Sequence, residues 1–220
     1  MTTTAIPHLV IGNRNYSSWS LRPWIAMRVA GIEFTDEVIP LDEPETKQRI
    51  AAHSGAGRVP VLHHGEVTVW ESLAILEYVA ETWPDAQLWP AAPGARAMAR
   101  AAAAEMHAGF QALRKHCPMN MRRARAPIEL PPEVSADVRR IEELWQICRE
   151  THGGDGPFLF GRFTNADAMF APVVNRFEVY AIEVSEASRA YMEAVMALPA
   201  WQSWKSAAKA EPWVIAADEA

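Results

Sequence analysis

Three short segments in the first third of the chain bring hydroxyls, free backbone groups and a carboxylate to the starts of helices. The first is Asn13-Arg-Asn-Tyr-Ser-Ser-Trp-Ser-Leu-Arg-Pro-Trp24. A serine just ahead of a helix accepts a hydrogen bond from a first-turn N–H, so Ser18 or Ser20 reads as a cap. The same hydroxyl, turned outward at the positive end of the helix, would meet a bound sulfur or oxyanion. Pro23 is compatible with an opening helical turn. The second segment is Arg58-Val59-Pro60-Val61-Leu62. A proline that opens a strand brings no N–H to the ladder. It marks an edge strand, or it leaves the backbone of Val59 to pair with something extended alongside. A cis Val59–Pro60 bond is chemically open but uncommon. The third is Glu71-Ser72, again at a helix start. Ser72 can cap that helix, while a hydroxyl at a helix N-terminus also receives a carboxylate, and the adjacent Glu71 can hold an ammonium group.

Other chemistries find little support. Cys117 and Cys148 lie far apart with no CxxC or Cys/His spacing, which excludes a disulfide scaffold and a zinc module and suits a reducing compartment. His63 and His64 are adjacent, face opposite sides of a strand and make a poor metal pair. Ser54-Gly-Ala-Gly57 lacks the context of a dinucleotide fingerprint, and no GxSxG or HExxH occurs. Arg122, Arg123 and Arg125 form a solvated basic loop or attract an anionic second substrate. Trp19 and Trp24 either line a pocket or pack in the core. With 21 Lys+Arg against 27 Asp+Glu, the net charge of −6 argues against phosphate-driven nucleic-acid binding. No apolar run approaches the roughly 20 residues that span a bilayer. The start of the chain has neither a basic nor an apolar leader region, so a cytoplasmic location is expected.

Those residues must be positioned by the elements around them. His8–Ile11 reads as a strand, Trp19–Ala30 as a helix stopped by Gly31, and Phe34–Leu41 as a second strand. Residues 44–52 are helix-permissive. Pro60–His63 and Val67–Trp70 flank a turn at 64–66, forming a hairpin. Ser72 then opens a helix with Leu73, Leu76, Val79 and Ala80 on its apolar face. The order is βαβ followed by ββα, a small mixed sheet with packed helices. Residues 83–94 hold three prolines and read as a linker. Beyond it the pattern is helical: Ala95–His116, then a loop over 118–132. Next comes a stripe of Val134, Val138, Ile141, Trp145 and Cys148 at spacings of 4, 3, 4 and 3, which makes Cys148 a core residue. The run Gly153–Pro157 ends that helix, and three more follow at about 165–180, 186–198 and 200–210. The chain therefore divides into residues 1–82, a linker at 83–94, and an all-helical 95–220.

Together, in this order and spacing, the segments resemble the cytosolic glutathione transferases of the serine type, closest to zeta- and theta-like bacterial members. Thr164-Asn-Ala-Asp167 after Gly161 looks like that family's signature opening a buried helix; physically it is a capping box. Ala200-Trp201 to Glu211 looks like the family's terminal helix. The resemblance implies a thioredoxin-like α/β N-terminal domain, an all-α C-terminal domain, a homodimer, glutathione as co-substrate and no metal. Ser17, with Ser18 its neighbouring rival, matches the serine whose hydroxyl favours the glutathione thiolate, the attacking species. Val59 would pair with the cysteinyl residue, Glu71 and Ser72 would hold the γ-glutamyl ammonium and carboxylate, and Arg58 or His53 would meet the glycyl carboxylate. A small apolar electrophile is expected near His107, Phe110 and Arg114. Trp19 stands where zeta-class isomerases carry a cysteine, which argues against cysteine-based chemistry. A glutathione-dependent isomerase and a non-catalytic binding or interaction module are the alternatives.

Overall fold

β1 (His8–Ile11) pairs in parallel with β2 (Thr35–Val38) and antiparallel with β3 (Val61–His64). β3 in turn pairs antiparallel with β4 (Val67–Trp70), giving the order β2-β1-β3-β4. The structure is a computed structural model, and it describes residues 5–219. Alternation along the strands decides which residue faces which helix layer. Leu9, Ile11 and Leu62 turn to the side of α1 (Ser18–Val29) and α3 (Ser72–Thr82), where the large core lies. Val10 and Val61 turn the other way, onto Ile39 and Ile50 of the short α2 (Thr46–Ala51). Each such side chain contributes about 1.5–3 kcal/mol on burial, so a one-residue slip in register would expose the whole set.

The expected α/β layer followed by helices is what the chain forms, with local differences that have physical causes. Gly31 ends α1 at φ +67, with the N–H of Ile32 donating to the carbonyl of Met27 at 3.0 Å. Pro23 lies in the second turn of α1 rather than its opening one. β3 runs one residue further than expected, to His64. Gly65 (φ +62) and Glu66 therefore make a two-residue turn. β3 is an interior strand, so Pro60 is not an edge-strand proline: it stands just before the ladder begins at Val61. The buried face of α3 is Ser72, Ile75, Leu76 and Val79, while Leu73 and Ala80 are only partly buried.

Residues 83–94 are mostly exposed but anchored in the middle. Pro84–Ala86 form a 3₁₀ turn, Leu88 and Trp89 are buried, and the N–H of Asn165 donates to the carbonyl of Leu88 at 2.8 Å. α4 (Pro93–Ala108) already starts inside that stretch, with proline at its first position. The single helix expected over 95–116 is two. Gly109 is extended and Phe110 left-handed (φ +60), so α5 (Gln111–His116) sets off in a new direction. α6 (Pro132–His152) carries the anticipated stripe, all five residues buried. α7 (Asn165–Val179) is buried almost throughout and packs on α1. Its capping box is complete: Thr164 N–H donates to Asp167 Oδ2 at 2.7 Å, and Leu159 N–H donates to Oδ1 at 3.0 Å. α8 (Glu186–Met196) and α9 (Pro199–Ala210) close the helical part. Among the described residues no helix is long and apolar enough to cross a membrane.

Candidate functional site

The loop 12–17 connects β1 to α1 and delivers its serines at the C-terminal end of a parallel strand, where open α/β sheets leave a crevice. Ser17 takes the N-cap position of α1 but makes no side-chain cap bond. Its Oγ lies 2.7 Å from Ser20 Oγ, which accepts the Gly12 N–H at 3.0 Å. Ser20 Oγ thus accepts from both the Gly12 N–H and the Ser17 hydroxyl. Ser17 itself stands at the positive end of the helix. Neither Ser18 nor Ser20 caps α1, so the capping role read from the sequence falls to no serine side chain.

Two adjoining cavities open at this helix end. One, of about 290 Å³, is lined by Ala56, Arg58, Val59, Pro60, Trp70, Glu71, Trp19 and His107. The other, of about 510 Å³, is lined by Tyr16, Ser17, Ser18, Met119, Gln111, Arg114, Arg176, Ile215 and Asp218, among others. They share Trp19, Arg58 and Val59, so the structure brings all three sequence segments to one cleft. The Val59–Pro60 bond is cis, and Val59 stands outside the strand ladder. Glu71 is held at φ +70, a conformation that costs a non-glycine residue about 1–3 kcal/mol and concentrates at functional positions. Glu71, not Ser72, is at the N-cap of α3; Ser72 is the first helical residue, and its buried Oγ has no hydrogen-bond partner among the described residues. A buried hydroxyl without a partner is costly and marks a place for an acceptor.

Several expected residues lie elsewhere. His53 faces Glu37, 3.6 Å away, beside His63, and lines neither cavity; the end of α2 turns it toward the outer sheet face. Phe110 is a core residue because its left-handed backbone turns it inward, leaving Gln111 and Arg114 on the cleft. His107 joins the first cavity with its Nε2 3.8 Å from Glu71 Oε2, and burial and Arg22 pull its ring below the usual histidine range. Trp24 is core, packed on Phe34 and Trp204, while Trp19 lines the cleft. Of the loop arginines, Arg122 and Arg123 are partly buried and Arg125 is exposed. Arg122 ties the chain end by donating to the carbonyls of Glu211 (2.8 Å) and Trp213 (2.7 Å), and Arg125 pairs with Glu178.

Cys117 precedes Pro118 and Met119, which line the cleft, and its carbonyl accepts from Arg176 Nε. Its thiol is fully buried and pushed up to about 11 by that burial, so it is no nucleophile. Cys148 is likewise buried and raised to about 11. Two charged cleft residues were not anticipated, Arg176 and Asp218. The available signal for Arg176 was its place just after the apolar run Ala168–Val174.

Comparison with known proteins follows the same outline. Residues 16–82 match the family model for the glutathione S-transferase N-terminal domain. A probable maleylacetoacetate isomerase of Caenorhabditis elegans is 34% identical over 46% of this chain, and the match spans only 46% of that relative's length. The maleylacetoacetate isomerase of Rattus norvegicus is 26% identical over 78% of each chain. A glutathione transferase homologue from Burkholderia, solved with bound glutathione, superposes with a TM-score of 0.71 at 22% identity. That superposition covers 94% of this chain and 100% of that one. At that identity the likeness speaks for the fold.

Proposed function

Because residues 16–82 match the glutathione S-transferase N-terminal domain, we propose that the chain belongs to that family, binds glutathione and activates its thiol with Ser17 for attack on a small, mostly apolar electrophile. The observation that carries this reading is the convergence of Ser17, Val59 and Glu71 on one cleft, with the buried, unpartnered Ser72 hydroxyl on the residue next to Glu71. Glutathione lies along the Val59–Glu71 side. The backbone of Val59 pairs with its cysteinyl residue, Ser72 takes the γ-glutamyl carboxylate, Glu71 holds the ammonium, and Arg58 meets the glycyl carboxylate. His53 has no part in this arrangement. The sulfur then reaches the start of α1, where the Ser17 O–H and the helix end favour thiolate over thiol. Ser17 donates a hydrogen bond and is not itself a nucleophile. The enzyme is cytoplasmic and homodimeric in this reading, needs no metal, and belongs to the serine class.

Calorimetric titration of glutathione from pH 6 to 9 tests the assignment. Wild-type protein should release a proton on binding, Ser17→Ala should bind without release, and Ser18→Ala should keep it. Loss of release in Ser18→Ala alone would move the role one residue on. Binding without release by the wild type would indicate a carrier or interaction module. No binding at millimolar glutathione would overturn the reading.

A second reading, a glutathione-dependent isomerase, is favoured by the names of the nematode and rat relatives. Product analysis separates the two, since a transferase consumes glutathione and an isomerase regenerates it.

A further inference from the structure

His107, in the last turn of α4, lines the smaller cavity together with Glu71. Its Nε2 stands 3.8 Å from Glu71 Oε2, while its buried Nδ1 has no hydrogen-bond partner among the described residues. The ring meets Trp19 edge-on, with centroids 5.2 Å apart, so it is held beside the carboxylate by packing. The charged groups that act on it are Arg22 from α1, Glu71 at the start of α3 and Arg114 from α5, and Arg58 lines the same cavity. Burial comes first, and with the like charge of Arg22 and Arg114 it outweighs the attraction of Glu71. The ring is therefore neutral near pH 7 and takes up its proton below 6.5. Arginines keep their charge between pH 5 and 7.5, so the cation beside Glu71 that comes and goes in that range is the histidine.

We propose that His107 competes with the γ-glutamyl ammonium of glutathione for the Glu71 carboxylate, so that the site opens to glutathione as His107 gives up its proton. The proposal rests on the glutathione reading above and adds a regulation of that same site. Protonated, the imidazolium pairs with Glu71 and repels a second cation arriving there. Neutral, it leaves the carboxylate to the ammonium. The two are linked reciprocally: a bound ammonium lowers the proton affinity of His107, and binding below pH 6.5 expels the proton to the solvent. His107 acts through Glu71 and is a positioning residue.

The probe is S-methylglutathione, which has no thiol to titrate. Its control is N-glutaryl-S-methylcysteinylglycine, which keeps the carboxylates but lacks the amino group. Both are titrated calorimetrically from pH 5 to 7.5 at low ionic strength. We expect the wild-type Kd for S-methylglutathione to fall about threefold from pH 5 to 7.5, the size of a partly exposed charge contact. Binding at the acid end should release a proton, and the control should show no such gain. His107→Gln should bind S-methylglutathione at every pH as tightly as the wild type does at pH 7.5, without proton release. His107→Lys carries a charge throughout this range and should bind at least as weakly at every pH as the wild type at pH 5. If His107→Gln does not fold, His107→Lys carries the test. A wild-type Kd that does not change with pH, a pH dependence that survives in His107→Gln, or an equal gain for the control would each overturn the proposal and leave the glutathione reading in place. No binding of S-methylglutathione at millimolar concentration at any pH would sink that reading, and the proposal with it.

Discussion

At the scale of single residues, the position of Ser17 depends on the absence of a side chain at Gly12. A Cβ on Gly12 would stand 2.7 Å from Leu41 Cδ1 and 3.1 Å from Ser17 Cβ. The leucine tip can swing away, but Ser17 must give by a few tenths of an ångström, which moves a hydroxyl whose value lies in its placement. Gly12→Ala should therefore cost about 1–2 kcal/mol of stability. Its effect on kcat/KM for glutathione conjugation should be larger, about tenfold. Melting curves alongside steady-state kinetics check this; equal losses in both would mean that Gly12 matters only for packing.

At the scale of elements, the N-terminus of α7 anchors a helix that is buried almost throughout. Asp167 is wholly buried beneath Thr164 and Leu159, and burial pushes its carboxyl up to about 6 despite three hydrogen bonds to it. A carboxyl raised in the folded state binds more protons there than in the unfolded chain. Its contribution to stability is therefore present below the unfolded pKa of about 4 and is lost as pH rises through about 6. The wild type should accordingly lose on the order of 2–3 kcal/mol between pH 4 and 6 through this group. Asp167→Asn should flatten that window while lowering overall stability, since the amide offers only one accepting atom to three donors. Thermal unfolding from pH 4 to 7 reads the difference, and parallel profiles for the two proteins would contradict it.

At the scale of the whole molecule, the serine loop is held from the far end of the chain. Glu211 accepts the N–H groups of Arg14 at 2.8 Å and Asn15 at 3.1 Å, and Trp204 Nε1 donates to the Arg14 carbonyl at 2.9 Å. Arg122 and Asn120 then bind the segment 211–219 and, through Asn15, the loop itself. Glu211→Ala leaves two backbone donors without partners, at about 1–3 kcal/mol each. Denaturant unfolding should show a loss of about 2–4 kcal/mol. Glutathione-linked proton release should weaken as well, because the loop carrying Ser17 loses its anchor. Stability loss with unchanged proton release would confine Glu211 to a structural part.

Much of this was legible in the residues. Strand and helix identity followed from local periodicity, and the Thr164–Asp167 capping box and the α6 stripe were readable because partners three or four residues apart interact within one helix. That three segments could meet at one cleft was likewise readable, since each combines a turn, a proline or a helix start with its polar group in a few residues. Contacts across the chain were not. That Phe110 turns inward was decided by the break at Gly109, and His53 was drawn to Glu37 by the way α2 packs on the sheet. The buried charge of Arg22 and Arg176 exists only because α1 packs on α7, and Asp218 meets Arg176 only because the chain end folds back across the serine loop. Local spacing determines which groups share a turn; only packing between distant segments decides which charges are left without water.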